Sequence, residues 1–166
     1  PGAHDNLLVS QGVESLVLAL DREDGKIVWE KSVHKGIPHE GGHHSGSLAS
    51  ASPVTDGERV VAFFGSRGLY CLDLDGELVW SRQLGKLRSK HGHGEAASPA
   101  LGNRTVVVNW DHEGQSRVFA FDVETGKPRW QKTRDEVTSW SSPIIFEFAG
   151  RWQTVVAGSK RVRSYD

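Results

Sequence analysis

Two short signatures recur along this chain in a fixed order, and that repetition constrains the fold more than any single motif. The first reads Ala19-Leu-Asp-Arg-Glu-Asp-Gly-Lys-Ile-Val-Trp29, Cys71-Leu-Asp-Leu-Asp-Gly-Glu-Leu-Val-Trp80 and Ala120-Phe-Asp-Val-Glu-Thr-Gly-Lys-Pro-Arg-Trp130. A fourth copy opens at Ser164-Tyr165-Asp166. The second signature, Ser-Pro, falls between copies of the first, at Ser52-Pro53, Ser98-Pro99 and Ser142-Pro143. The tryptophans are 51 and 50 residues apart and the Ser-Pro serines 46 and 44. Two signatures sharing one period describe a supersecondary unit that stacks on copies of itself.

The unit is built from strands. Apolar, β-branched and aromatic residues cluster in short runs at Leu7–Ser10, Ser15–Leu20, Val60–Phe64, Thr105–Trp110, Arg117–Phe121 and Gln153–Ala157. Gly, Asp, Asn or Ser bounds each run, and no window carries a helical apolar period. A period near 45–50 residues with four strands per unit is that of a β-propeller blade. The chain is therefore all-β, a β-propeller fragment with four-stranded antiparallel blades and about 14 strands. As one partial propeller domain over residues 1–166 it divides into pieces at about 6–33, 48–86, 95–134 and 139–166, two complete blades and two partial ones. The strand opening at each Ser-Pro is expected innermost.

Composition closes off other classes. Twenty Lys and Arg against 21 Asp and Glu give a net charge of −1, without the basic field that nucleic acid or an anionic membrane requires. One cysteine excludes a disulfide framework, and no apolar run approaches the length needed to span a bilayer. No signal peptide is visible, and the chain starts at Pro1 with no Met anywhere, as a segment of a longer protein would.

The repeat Ala-x-Asp-x-x-Thr-Gly-x-x-x-Trp followed by Ser-Pro resembles that of the pyrroloquinoline-quinone (PQQ)-like β-propellers over essentially the whole chain. That family includes quinoprotein alcohol and sugar dehydrogenases and the non-enzymatic lipoprotein of the bacterial outer-membrane barrel-assembly machine. The resemblance implies a bacterial protein of the periplasm or cell surface, whose partners include the other blades of its own propeller. For an enzymatic member it implies PQQ and Ca²⁺ on the propeller axis, held by carboxylate and amide ligands beside a catalytic Asp. This segment has no vicinal Cys-Cys pair, and Asn6, Asn103 and Asn109, its only Asn residues, sit in no evident cofactor context. No cofactor is assigned to it, PQQ and Ca²⁺ belonging only to a full-length protein. The reading is a non-catalytic scaffold that binds a ligand or protein; the alternative is part of a PQQ-dependent dehydrogenase.

The motif residues themselves read as structural. Asp21, Asp73 and Asp122 stand at turn onsets, where a carboxylate accepts backbone N–H groups. Gly25, Gly76 and Gly126 supply positive φ, and Trp29, Trp80 and Trp130 offer apolar faces on which one blade docks against the next. Cys71 fills the small-residue slot that Ala19, Ala120 and Ser164 occupy in the other copies.

Function must then lie in what differs between repeats. Blade topology puts the links between blades and the turn between the second and third strands of each blade on one face. His34, His39, His43, His44, His91, His93 and His112 all fall there, with Asp111 and Trp140. His43, His44, Asp111 and Trp140 are candidates for binding a ligand or protein. His91 and His93, about 7 Å apart on one side of an extended segment, are candidate metal ligands with His112 as a third. Glu95 would lie about 13 Å from His91 in that extended form, too far to join them.

Overall fold

A computed structural model of the chain describes residues 12–166. Those residues form 13 strands in four antiparallel sheets, with two three-residue 3₁₀ turns as the only helical segments. The first sheet pairs β1 (Val13–Leu20) with β2 (Ile27–Gly36). The second orders β3 (Val54–Thr55), β4 (Arg59–Phe63), β5 (Leu69–Asp73) and β6 (Leu78–Arg82). The third orders β7 (Ala100–Gly102), β8 (Thr105–Trp110), β9 (Arg117–Asp122) and β10 (Pro128–Thr133). The fourth contains β11 (Ile144–Phe148), β12 (Arg151–Ala157) and β13 (Val162–Tyr165). The all-β propeller fragment expected from the repeat is what forms. The strand expected at Leu7–Ser10 lies outside the described residues. No helix among the described residues is long and apolar enough to cross a membrane.

The sheets stack face to face in chain order because the middle ones are apolar on both faces. In the second sheet Val61, Phe63, Leu69 and Cys71 pack against Val106, Val108, Trp110 and Phe121 of the third. The alternate residues Ala62, Phe64, Tyr70 and Leu72 pack against Val17, Trp29 and Val33 of the first. Val107, Val118 and Ala120 turn the other way, toward Ile145, Val156 and Tyr165 of the fourth. A strand's two-residue period delivers successive side chains to opposite faces, so a run such as Val106-Val107-Val108 serves two interfaces at once. The outermost sheets have one such partner each and leave Leu20, Val28, Phe148 and Val162 exposed.

The repeat motif couples neighbouring sheets. Asp21 Oδ1 accepts the amides of Glu23 and Asp24, Asp73 Oδ1 those of Asp75 and Glu77, and Asp122 Oδ1 that of Thr125. Hydrogen bonds from Arg129 and Thr125 hold the Asp122 carboxyl far below the usual carboxylate range. These turns present a bare backbone to the preceding repeat. Trp29 Nε1 donates to Leu74 O at 2.8 Å, and Trp80 Nε1 to Val123 O at 2.8 Å. The indoles lie over the turn glycines: a Cβ on Gly76 would come within 2.8 Å of Trp29 Cδ2, and one on Gly126 within 2.6 Å of Trp80 Cδ2. Glycine is required twice over, for φ of +84° and +63° and for the close approach of the ring. Trp130 stacks on Tyr165 of the next sheet, ring centroids 5.9 Å apart.

The Ser-Pro serines make a second connection. The Ser52 amide donates to Ser98 Oγ at 2.8 Å, and the Ser98 amide to Ser142 Oγ at 2.9 Å. Each hydroxyl thus reaches back to the preceding repeat, while the strands these serines precede, β3, β7 and β11, are edge strands that approach one another.

Cys71 is enclosed between the second and third sheets, its Sγ 3.8 Å from Val123 O. Burial pushes its thiol up to about 11. Native protein at pH 8 is therefore expected to react with a thiol reagent only on the timescale of unfolding, and at once in 6 M guanidinium. Stoichiometric labelling within minutes under native conditions would show that the interface between the two sheets opens.

Candidate functional site

Three inter-blade links, residues 37–53, 83–99 and 134–143, converge on one face and are sewn together by polar contacts. His39 Nε2 lies 2.6 Å from Leu87 O, and the Ser89 amide donates to Glu40 Oε2 at 3.0 Å. The His43 amide donates to His93 O, the Lys90 amide to Thr138 Oγ1, and Trp140 Nε1 to Gly94 O. Gly42 and Gly94 are in close contact, with Gly94 at φ +92°. The second-to-third-strand turns join in. Glu95 accepts the Ser66 amide and hydroxyl, Glu113 the Thr138 amide and hydroxyl, and Glu136 the Lys160 amide. The sequence suggests none of these roles: it offers Glu95 only as a distant neighbour of His91, and marks out neither Glu113 nor Glu136. Nothing local distinguishes them, because each one's partner is more than 20 residues away.

On this platform four imidazoles come together. His43 and His44 have ring centroids 4.2 Å apart, His43 and His93 5.2 Å, and His91 and His93 5.5 Å. The Trp140 indole stacks on His93 at 6.4 Å and is 42% exposed. Of the candidates read from the sequence, His43, His44, His91, His93 and Trp140 thus occupy one patch, and all five are exposed. The route by which His91 and His93 meet differs from the extended segment expected. Lys90–Gly92 is a 3₁₀ turn with His91 at φ +57°, and Gly92 and Gly94 flank it at positive φ. Two glycines within four residues release the chain from the strand geometry that would have held the rings about 7 Å apart.

His112 and Asp111 stay outside the four-histidine cluster, although with Trp140 they line the cleft beside it. His112 packs on Trp110, its Nδ1 accepting the amides of Arg88 and Gly114 while Nε2 faces Gln115 O. It orders its own turn and does not join His91 and His93. No group of three or more His, Cys, Asp or Glu side chains among the described residues is disposed to hold a metal ion. Asp111 is sealed from solvent in a two-pronged pair with Arg134, Nε to Oδ1 at 2.7 Å and Nη2 to Oδ2 at 3.0 Å, both side chains 0% exposed. Burial raises the Asp111 carboxyl, whereas for Arg134 the carboxylate outweighs burial and raises the guanidinium; the bidentate geometry favours the ionised pair. Arg134 also donates to Tyr165 Oη at 2.6 Å, so Asp111 anchors the third link to the fourth sheet rather than offering itself to a ligand.

Burial lowers the His112 imidazole below its ordinary value. The unfolded chain then binds a proton that the folded chain refuses, so stability is lost as pH falls below about 6.5. Urea midpoints at pH 7.5 and 5.5 should fall further apart for the wild type than for His112→Asn, which keeps an acceptor near the Nδ1 position. Equal differences would remove His112 from the pH dependence.

A cleft beside the patch is lined by Phe63, Leu87, Glu95, Asn109, Asp111 and Trp140, and has room for about 20 Å³ of water. That accommodates about one water molecule, which could donate a hydrogen bond to the unpartnered, buried acceptor Asn109 Oδ1. It does not fit a tricyclic quinone with a Ca²⁺ ion: Asp111 and Glu95 are committed to Arg134 and Ser66, and a single amide oxygen is left.

Comparison with known proteins agrees with the geometry. The profile of the family described as outer membrane protein assembly factor BamB matches residues 1–162. Among solved structures, BamB from Moraxella catarrhalis superposes with a TM-score of 0.55 at 21% identity, over 91% of this chain and 40% of that one. The quinohemoprotein alcohol dehydrogenase ADHIIG from Pseudomonas putida HK5 superposes with a TM-score of 0.55 at 19% identity, over 86% and 25%. A europium-containing methanol dehydrogenase does so with a TM-score of 0.52 at 18% identity, over 74% and 22%. No curated protein matches in sequence. The chain spans less than half the length of each of these structures, and the likeness to them is one of fold. With the repeat, the stacked sheets and a family profile matched over nearly its whole length, this chain belongs to the BamB family of PQQ-like β-propellers.

Proposed function

We propose that the chain is part of a non-catalytic propeller that binds a protein partner through its inter-blade links, at the periplasmic side of outer-membrane protein assembly. The observation that carries this reading is the exposed patch of His43, His44, His91, His93 and Trp140 on three interlocked links, beside a cleft with room for about one water. The residues that differ between repeats are spent on a surface rather than on a cavity. A rigid platform carrying exposed aromatic and polar groups suits recognition of another macromolecule. The matched family, described as an outer membrane protein assembly factor, supports the same direction.

The test is a photo-crosslinking amino acid at position 140 of the full-length protein in its own cell. The expected result is a covalent adduct with an outer-membrane assembly component, reduced in a His43→Gln, His93→Gln background. The competing dehydrogenase reading predicts instead dye-linked alcohol oxidation by the full-length protein on adding PQQ and Ca²⁺. That activity, with no adduct at position 140, would overturn the scaffold reading.

A further inference from the structure

The patch has a charge asymmetry that the overall charge of −1 conceals. The acidic groups facing it are turned inward: Glu40 accepts the Ser89 amide, Glu95 is held by Ser66, and Glu113 by Thr138. The basic groups of the same link make no close ion pair, although the Glu113 carboxylate feels the charges of Arg88 and Lys90. Lys86, Arg88 and Lys90 form no ion pair among the described residues, and all three are exposed. Arg88 makes one side-chain hydrogen bond, to the backbone oxygen of Glu113. Link 83–99 therefore carries three exposed cations against one nearby carboxylate, Glu113, beside His91 and His93, with His43 against His93 from the preceding link and His44 against His43.

Protons act strongly on such a surface. Histidine is the side chain that gains charge on mild acidification, and these four form a chain whose successive ring centroids are 4.2, 5.2 and 5.5 Å apart, so neighbouring rings repel as they charge. A bound anion relieves that repulsion, so anion binding and proton uptake strengthen each other. The Trp140 face adds an attraction to a charged His93 across their stack. The backbone bond between His43 and His93 and the approach of Gly42 to Gly94 join the two links that carry these rings.

We infer that His43, His44, His91 and His93, with Trp140 and the cations Lys86, Arg88 and Lys90, form a docking site for an acidic peptide segment whose grip tightens as pH falls from 7.5 to 5.5. This rests on the scaffold reading above and names the chemistry of the partner.

The probe is a fluorescein-labelled (Asp-Gly)₆ peptide, with (Asn-Gly)₆ as control, titrated with the 166-residue chain at fixed ionic strength in EDTA. Asp stays ionised at pH 5.5, so the change reports on the protein. Affinity for (Asp-Gly)₆ should rise about tenfold between pH 7.5 and 5.5, the combined effect of several exposed charge pairs. In His43→Gln, His93→Gln the rise should shrink below about twofold. Lys86→Gln, Arg88→Gln should weaken binding at both pH values while preserving the rise, a pattern that a general loss of folding does not give. An undiminished rise in the histidine variant, equal binding of (Asn-Gly)₆, or binding that appears only when Zn²⁺ replaces EDTA would overturn the inference. If the acidic peptide fails while the position-140 adduct persists, the scaffold reading stands and the acidic-segment inference falls. Loss of both removes both.

Discussion

Trp80→Ala is expected to lower stability by about 3–5 kcal/mol, the range for deleting a large buried aromatic side chain. Trp80 is 7% exposed at the centre of the largest apolar cluster, between the second and third sheets. Its removal opens a cavity there, frees Val123 O from the Nε1 hydrogen bond and leaves Gly126 uncovered. Trp80→Phe separates these effects: it retains most of the apolar contact and forfeits the hydrogen bond, for a cost of about 1 kcal/mol. The reciprocal change, Gly126→Val, should be as damaging as Trp80→Ala, since its Cβ would sit 2.6 Å from the indole at a φ of +63° that valine avoids. Urea denaturation followed by circular dichroism checks all three. A loss below about 1 kcal/mol for Trp80→Ala would contradict the docking of the ring between sheets.

Asp111→Ala is expected to cost about 3–5 kcal/mol, because it strands the Arg134 guanidinium without a counter-charge in a fully enclosed site. The decisive comparison is the double variant Asp111→Leu, Arg134→Met. Replacing both charges by apolar groups of similar size removes the stranded charge, and most of the loss should be recovered. If the double variant were as unstable as Asp111→Ala, the cost would come from something other than the uncompensated guanidinium. Neither change touches the four-histidine patch, so (Asp-Gly)₆ binding by the folded fraction should persist in both.

The contrast between Trp80 and Asp111 shows which parts of this molecule are legible along the chain. Trp80 was assigned a docking role because its motif occurs three times and a repeated unit must present the same face to its neighbour. Asp111 was placed with the exposed candidates because it lies in a turn between Trp110 and His112. Its partner, Arg134, is 23 residues away, and no local pattern announces a buried ion pair. His112 misled in the same way. It is on the same face as His91 and His93, yet three hydrogen-bond partners hold its ring within its own corner. The Ser-Pro serines read as strand openers; the sequence held a clue to more, since serine precedes proline in all three, but only the stacked sheets show the Ser98 and Ser142 hydroxyls accepting an amide of the previous repeat.

By itself the sequence determined the all-β class, the propeller repeat and the residues that turn and dock each unit, whereas His34, expected in an inter-blade link, lies within β2. Those properties follow from two-residue alternation, from glycines at positive φ and from periodic recurrence, all of which are local or repeated. Tertiary structure alone decided which of the gathered residues meet. Glycines at 42, 92 and 94 bring the first and second links into contact, and Trp140 closes on them from the third. A loop's path has no period, and it is set by the hydrogen bonds it finds across a sheet interface, at sequence separations near the length of a whole repeat.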